Sequence, residues 1–273
     1  MKLIEKNKPD ILIGFLFIES LLLSLLVTNM SSFWVLYVFS ILTVVFYLIL
    51  KLGISPKELL EDKRKYDVFA AVMMTAMLNA NISVLSNRLI LIVILVAYYL
   101  GFRFVVGTFE KESLNQIEKN ALNLSVLLTI FLGGNLITNL AVIVEKGTGF
   151  VVLAGSVLLF MFVYLLSFYN FVKNKVAKKW AKVYAVVLAL VLSEISLLSG
   201  FYLEKYPNLY KSDSASGIAI TTASLFMVVI YYMLYGLLIH KIEKRLYPKL
   251  ILEYLAISGV IIVTLFITIK WFA

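Results

Sequence analysis

The stretch FVVLAGSVLLFMFVYLLSFYNFV, residues 150–172, runs without a charged side chain and is followed at once by Lys173, Lys175, Lys178, Lys179 and Lys182. A helix rises about 1.5 Å per residue, so a run of this length covers the roughly 30 Å hydrocarbon layer of a bilayer. Eight more mostly apolar stretches lie at 11–28, 33–50, 68–86, 89–107, 121–144, 183–202, 217–240 and 250–269. Nine such runs in 273 residues, 62% of them hydrophobic, leave too little polar surface to coat a soluble bundle. The expected fold is an all-α, polytopic transmembrane helix bundle of about nine spans, forming a single integral membrane domain over 1–273 and residing in the cell membrane as a multi-pass protein.

The polar segments between these runs set the orientation. Lysine and arginine are retained on the cytoplasmic side of a membrane. All but five of the 25 cations fall in the N-terminal tail and in the second, fourth, sixth and eighth connections; the exceptions are Arg88, Lys146, Lys205, Lys211 and Lys270. The N-terminus is therefore expected in the cytoplasm and, with an odd number of spans, the C-terminus outside. The same placement accounts for the formal net charge of +9. In a soluble protein that charge would suggest nucleic acid; beside membrane ends the expected partners are the bilayer itself and its anionic headgroups, and no nucleic acid. The first apolar run follows a basic tail, but 21–30 offers no small-x-small cleavage site, and it reads as a retained anchor.

Short connections make successive helices antiparallel neighbours. Paired as four hairpins plus a final helix, the spans show a recurrent pattern. Each outward-running helix carries a strongly polar residue near or beyond its middle, namely Glu19, Asn79, Asn135 and Glu194. Each returning helix carries aromatics towards its cytoplasmic half: Phe46-Tyr47, Tyr98-Tyr99, Tyr164 with Phe168-Tyr169, and Tyr231-Tyr232 with Tyr235. An ancestral two-helix repeat and chance similarity in apolar sequence both fit this spacing. The longest outer connection, 201–216, bears Tyr202, Tyr206 and Tyr210, suited to anchoring at headgroup level. The second connection, with Ser55-Pro56-Lys57-Glu58 ahead of a charged run, reads as a capped interfacial helix.

Glu19 and Glu194 are the carboxylates set within hydrocarbon, with no lysine or arginine at their depth. A charge there costs several kcal/mol, which makes an intramembrane acid a candidate for function. Both are expected to be protonated or hydrogen-bonded to neutral donors, and Glu194 is favoured because Ser193, Ser196 and Ser199 surround it in the chain. Asn79 and Asn135 lie at similar depth. Thr75, Asn81, Ser83, Thr138 and Asn139 extend the polar zone. Together these residues suggest a mid-membrane polar layer shared by spans 1, 3, 5 and 7; the alternative is that they only bond helices to one another. Gly133-Gly134, directly before Asn135, either permits close helix packing or unwinds the helix. All four prolines lie in tails or connections.

Several activities are set aside by what is missing. The chain has no cysteine, which removes disulfides, thiolate nucleophiles and cysteine metal sites. The single histidine, His240, cannot form a two-histidine haem site or a usual zinc site, and no metal or cofactor is expected. His240 reads as a helix C-terminal cation. There is no phosphate-binding glycine loop, no H-E-x-x-H and no G-x-S-x-G, so no catalytic residue is assigned. The expected function is non-catalytic handling or transport of a lipid or small solute, with Glu19, Asn79, Asn135 and Glu194 as binding residues. One alternative is a structural or assembly subunit with a membrane partner; another is an intramembrane enzyme using Glu19 or Glu194 as acid/base.

Overall fold

A computed structural model describes residues 8–25, 35, 37–46, 65–82, 88–108, 111, 114–143, 148–205 and 222–268. The described residues hold nine α-helices and no strand: α1 (Lys8–Leu25), α2 (Tyr37–Phe46), α3 (Lys65–Ile82), α4 (Arg88–Thr108), α5 (Gln116–Ile143), α6 (Thr148–Lys173), α7 (Lys178–Lys205), α8 (Thr222–Ile242) and α9 (Pro248–Thr268). Each falls on one of the nine apolar runs. Four stretches within α5 to α8, Gln116–Thr138, Val152–Lys173, Lys178–Ser199 and Ala223–Ile242, are long and apolar enough to cross a membrane. Helix is the form such sequence must take in lipid, because only there does an unpaired apolar segment satisfy its own backbone groups. The interfacial helix expected around 55–58 and the outer residues Tyr206 and Tyr210 lie outside the described residues.

Local chemistry fixes several helix ends. At the start of α5 the Glu118 backbone N–H donates to Asn115 Oδ1 at 2.8 Å, while the Asn115 N–H donates to Glu118 Oε2 at 3.0 Å. This reciprocal box caps two otherwise orphaned donors, and Lys111 holds the same glutamate in an ion pair. Helices α6 and α8 end alike. Val176 N–H donates to Phe171 O and Lys175 N–H to Val172 O, with Lys175 at φ 62°. Arg245 N–H donates to His240 O and Lys244 N–H to Lys241 O, with Lys244 at φ 56°. Both are left-handed C-terminal caps that turn the chain straight into the next helix, with lysine at a position where glycine is usual.

The chain divides into two compact units, Met1–Thr129 and Ile130–Ala273. In the first, α1 packs on α3 and α4, and α3 on α4. Its core includes Leu16, Leu23, Ala71, Met74, Leu78, Leu95 and Phe102. Gly101 on α4 lets Ser125 of α5 approach so closely that its Oγ lies 2.5 Å from where a Cβ would stand.

In the second unit, α6 packs along α7, α7 on α8, and α8 on α9. Helix α5 runs unbroken through Gly133-Gly134. The Phe162 ring of α6 lies 2.5 Å from a Cβ built on Gly133, and Met227 Sδ of α8 lies 2.9 Å from one on Gly134. The glycine pair thus serves close packing, the reading in which small residues let helix backbones approach.

Candidate functional site

In the first unit the apolar faces of four helices meet around a strip of polar side chains, all but Thr43 buried almost completely. Glu19 and Ser20 come from α1, Ser40 and Thr43 from α2, Asn79 from α3 and Tyr99 from α4. Asn79 and both serines have no exposed surface, and Glu19 and Tyr99 retain only 4%. The Tyr99 ring meets those of Phe17 and Tyr98 edge-on, each at 5.6 Å between centroids. Its hydroxyl is thereby fixed in space.

The hydrogen bonds run in sequence across all four helices. Ser20 Oγ donates to Asn79 Oδ1 at 2.9 Å, Asn79 Nδ2 donates to Ser40 Oγ at 2.5 Å, and Ser40 Oγ donates to Tyr37 O at 3.1 Å. Ser20 Oγ also lies 2.5 Å from Tyr99 OH, which itself donates to Leu16 O at 2.8 Å. A hydroxyl has one proton. With the Ser20 proton on Asn79, the short Ser20–Tyr99 contact needs the Tyr99 proton, shared between Ser20 Oγ and Leu16 O. All donors then point one way, from Tyr99 to the Tyr37 carbonyl, and Asn79 is bonded on both its oxygen and its nitrogen.

Glu19 sits beside this chain with a different balance. Thr43 Oγ1 is 3.3 Å from Glu19 Oε1 and 3.0 Å from Phe39 O, so its one proton has two acceptors. Glu19 Oε2 is buried and has no hydrogen-bond partner among the described residues. A carboxylate in this position would hold a full charge against a fraction of one donor, a costly arrangement in an apolar interior. A neutral acid removes the charge, donating from Oε1 to Thr43 Oγ1 while Thr43 donates to Phe39 O, and leaves Oε2 as an acceptor without a donor.

The other two expected binding residues belong to the second unit. Asn135 is buried on α5 beside the glycine pair. Glu194 stands at an exposed position of α7. The serines near it bond back onto their own helix, Ser193 Oγ to Leu190 O and Ser199 Oγ to Ser196 O, both at 2.9 Å. Their hydroxyl protons are thus spent locally and do not face the carboxyl. The second unit has its own smaller polar contacts, where Ser167 Oγ donates to Tyr231 OH at 3.3 Å and Asn174 Nδ2 to Tyr235 OH at 3.0 Å. Among the described residues no group of three metal-ligating side chains occurs.

Ser20, Ser40 and Thr43 were not singled out by sequence, although each marks the site. Ser20 adjoins Glu19, and Ser40 and Thr43 are spaced by three, which places them on one helix face. Hydroxyls in apolar helices usually bond their own backbone, so only the partner across the interface reveals the role. Fold and site together define an all-helical, membrane-embedded protein. No protein-family model, curated protein or solved structure matches the chain.

Proposed function

We propose that this chain is a nine-span protein of the cell membrane, N-terminus cytoplasmic and C-terminus outside, that handles or transports a small solute or lipid without chemical change. The observation that supports this reading is the Glu19 carboxyl. Its neighbours Ser20, Asn79, Ser40 and Tyr99 satisfy one another, whereas its own Oε2 is buried and left over. A network that served packing alone would gain by satisfying or deleting that atom, because a buried acceptor without a donor costs about 1–3 kcal/mol. Asn79 and its partners position the site; Glu19 is the group offered to a ligand. The cytoplasmic lysines and arginines rest against anionic headgroups.

The test compares the lipid and small-solute composition of a deletion strain with that of strains complemented by wild type, Glu19→Gln and Glu19→Leu. The component that changes on deletion is the readout, with folded protein quantified by gel filtration in detergent. Glu19→Gln keeps the shape, so the reading expects loss of rescue at a normal folded level. Full rescue by Glu19→Gln refutes it.

A second reading, a structural or assembly subunit, is favoured by Glu194. It shares the exposed face of α7 with Val183, Val187, Leu190 and Leu198. A carboxyl on such a face is costly against lipid and would be relieved by a donor from a partner subunit. Glu194→Leu then weakens co-purification of that partner and leaves the complemented phenotype of Glu19 untouched.

A further inference from the structure

We infer that Glu19 is a proton carrier, taking up and releasing a proton through the Thr43 hydroxyl as the protein works; this rests on the handling function proposed above. Glu19 is 4% exposed, but Thr43 is half-buried on α2, whose outer side presents Phe39, Leu42 and Phe46. Thr43 therefore connects the carboxyl to the surface of the unit through one hydroxyl. In the acid form every proton has an acceptor: Glu19 donates to Thr43 Oγ1 and Thr43 to Phe39 O. On release the proton passes to a basic atom of the solute held beside Thr43, Thr43 turns its own proton from Phe39 O to Glu19 Oε1, and the carboxylate keeps that one donor. The 3.0 and 3.3 Å contacts are the two settings of this rotor, both within reach without movement of the helices.

The surroundings suit a site whose charge changes. The ionisable groups on the elements packed against it are Tyr37 on α2, Lys65, Tyr66 and Asp67 on α3, and Arg88, Tyr98, Tyr99 and Arg103 on α4. Asp67 lies about 18 Å along α3 from the level of Asn79, and Arg103 is exposed one turn beyond Tyr99. Neither is a hydrogen-bond or ion-pair partner of Glu19. With no cation paired to it among the described residues to hold the carboxylate charged, and no acceptor beyond Thr43 to hold the acid neutral, the state of Glu19 follows the supply of protons. The Ser20–Asn79–Ser40 chain holds the helices around it in either state, because none of its bonds uses the Glu19 proton.

The test is infrared difference spectroscopy of the purified protein in liposomes, taken between mildly acidic and mildly alkaline buffer. A proton carrier gives the carbonyl stretch of a protonated carboxylic acid that disappears reversibly on the alkaline side and is absent from the Glu19→Gln variant. A carboxylic acid that serves as helix glue keeps its band at every pH. A band that is unchanged by pH, or a titrating band that survives in Glu19→Gln, overturns the inference. Where Glu19→Gln fails to accumulate, the band is assigned in wild type with a hydrophobic carbodiimide. The protonated carboxyl adds across its C=N bond, the acid proton going to nitrogen, and the adduct rearranges to a stable N-acylurea located at Glu19 by mass spectrometry. Loss of the titrating band in step with that modification supports the inference; modification of Glu19 that leaves the band overturns it. The strain complementation described above is read separately. Loss of rescue by Glu19→Gln with a band that ignores pH leaves the handling function standing and removes the proton.

Discussion

Ser20 Oγ on α1 donates a 2.9 Å hydrogen bond to Asn79 Oδ1 on α3, and the other end of the same amide donates to Ser40 on α2. One side chain therefore clasps three helices. Asn79→Leu removes both bonds and leaves two buried hydroxyls short of a partner. Interhelical hydrogen bonds in membranes average about 0.6 kcal/mol and reach about 1.7, so the expected loss is about 1–2 kcal/mol. Reversible unfolding in mixed micelles, followed by helix content, measures it; a loss no larger than for Leu78→Ile would discount the clasp.

Tyr99→Phe keeps the ring's contacts with Phe17 and Tyr98 and deletes only the hydroxyl that meets Ser20 and Leu16 O. Ser20 still donates to Asn79, so the expected cost is about 0.5–1.5 kcal/mol. Tyr99→Phe combined with Asn79→Leu should cost less than the two separate losses added, because both disturb one chain. A double-mutant cycle in the same micelles reads the coupling.

The glycine contacts rank themselves by what stands opposite. Gly133→Ala drives a methyl into the flat Phe162 ring, whereas Gly134→Ala meets the flexible Met227 thioether, which can turn away. Gly149 has open space around it. Expected changes are a loss of about 1–3 kcal/mol for Gly133→Ala, a smaller loss for Gly134→Ala, and a gain of about 0.5–1 kcal/mol for Gly149→Ala from helix propensity. Thermal stability in detergent orders the three, and a reversed order for Gly133 and Gly134 would contradict the packing.

Lys175 and Lys244 occupy left-handed backbone positions at the ends of α6 and α8. A side chain there costs about 1–2 kcal/mol relative to glycine, partly offset by favourable charge beside the last carbonyls. Lys175→Gly and Lys244→Gly are each expected to stabilise by about 0.5–1 kcal/mol. Alanine at either site gains nothing, since it keeps the Cβ; the glycine–alanine difference in melting temperature is the check.

The proposed topology is open to direct labelling because the chain has no native cysteine. Cysteine at Ser32, Gly147 or Ser212 should react with an impermeant maleimide in intact cells. Cysteine at Lys57, Lys111, Lys178 or Lys244 should react only after permeabilisation. Labelling of Lys178→Cys in sealed cells would reverse the orientation.

Residues 150–172, and the eight runs like them, needed no tertiary information to be read as helices, and each coincides with one. The reason is local: a long apolar segment in lipid has no other way to satisfy its backbone. Glu19 and Asn79 were legible for the same reason, since a polar side chain in an apolar run is conspicuous against its own neighbours. What no single segment contains is the partner. Ser20 to Asn79, Asn79 to Ser40 and Glu19 to Thr43 each join different helices, and which hydroxyl meets which amide depends on helix rotation, set by the packing of leucines and glycines over the whole interface. The same rotation buries Glu19 and leaves Glu194 exposed, although the two residues look alike in sequence. A residue's place in an apolar run is written along one helix; the face it turns inward is decided only when the helices pack.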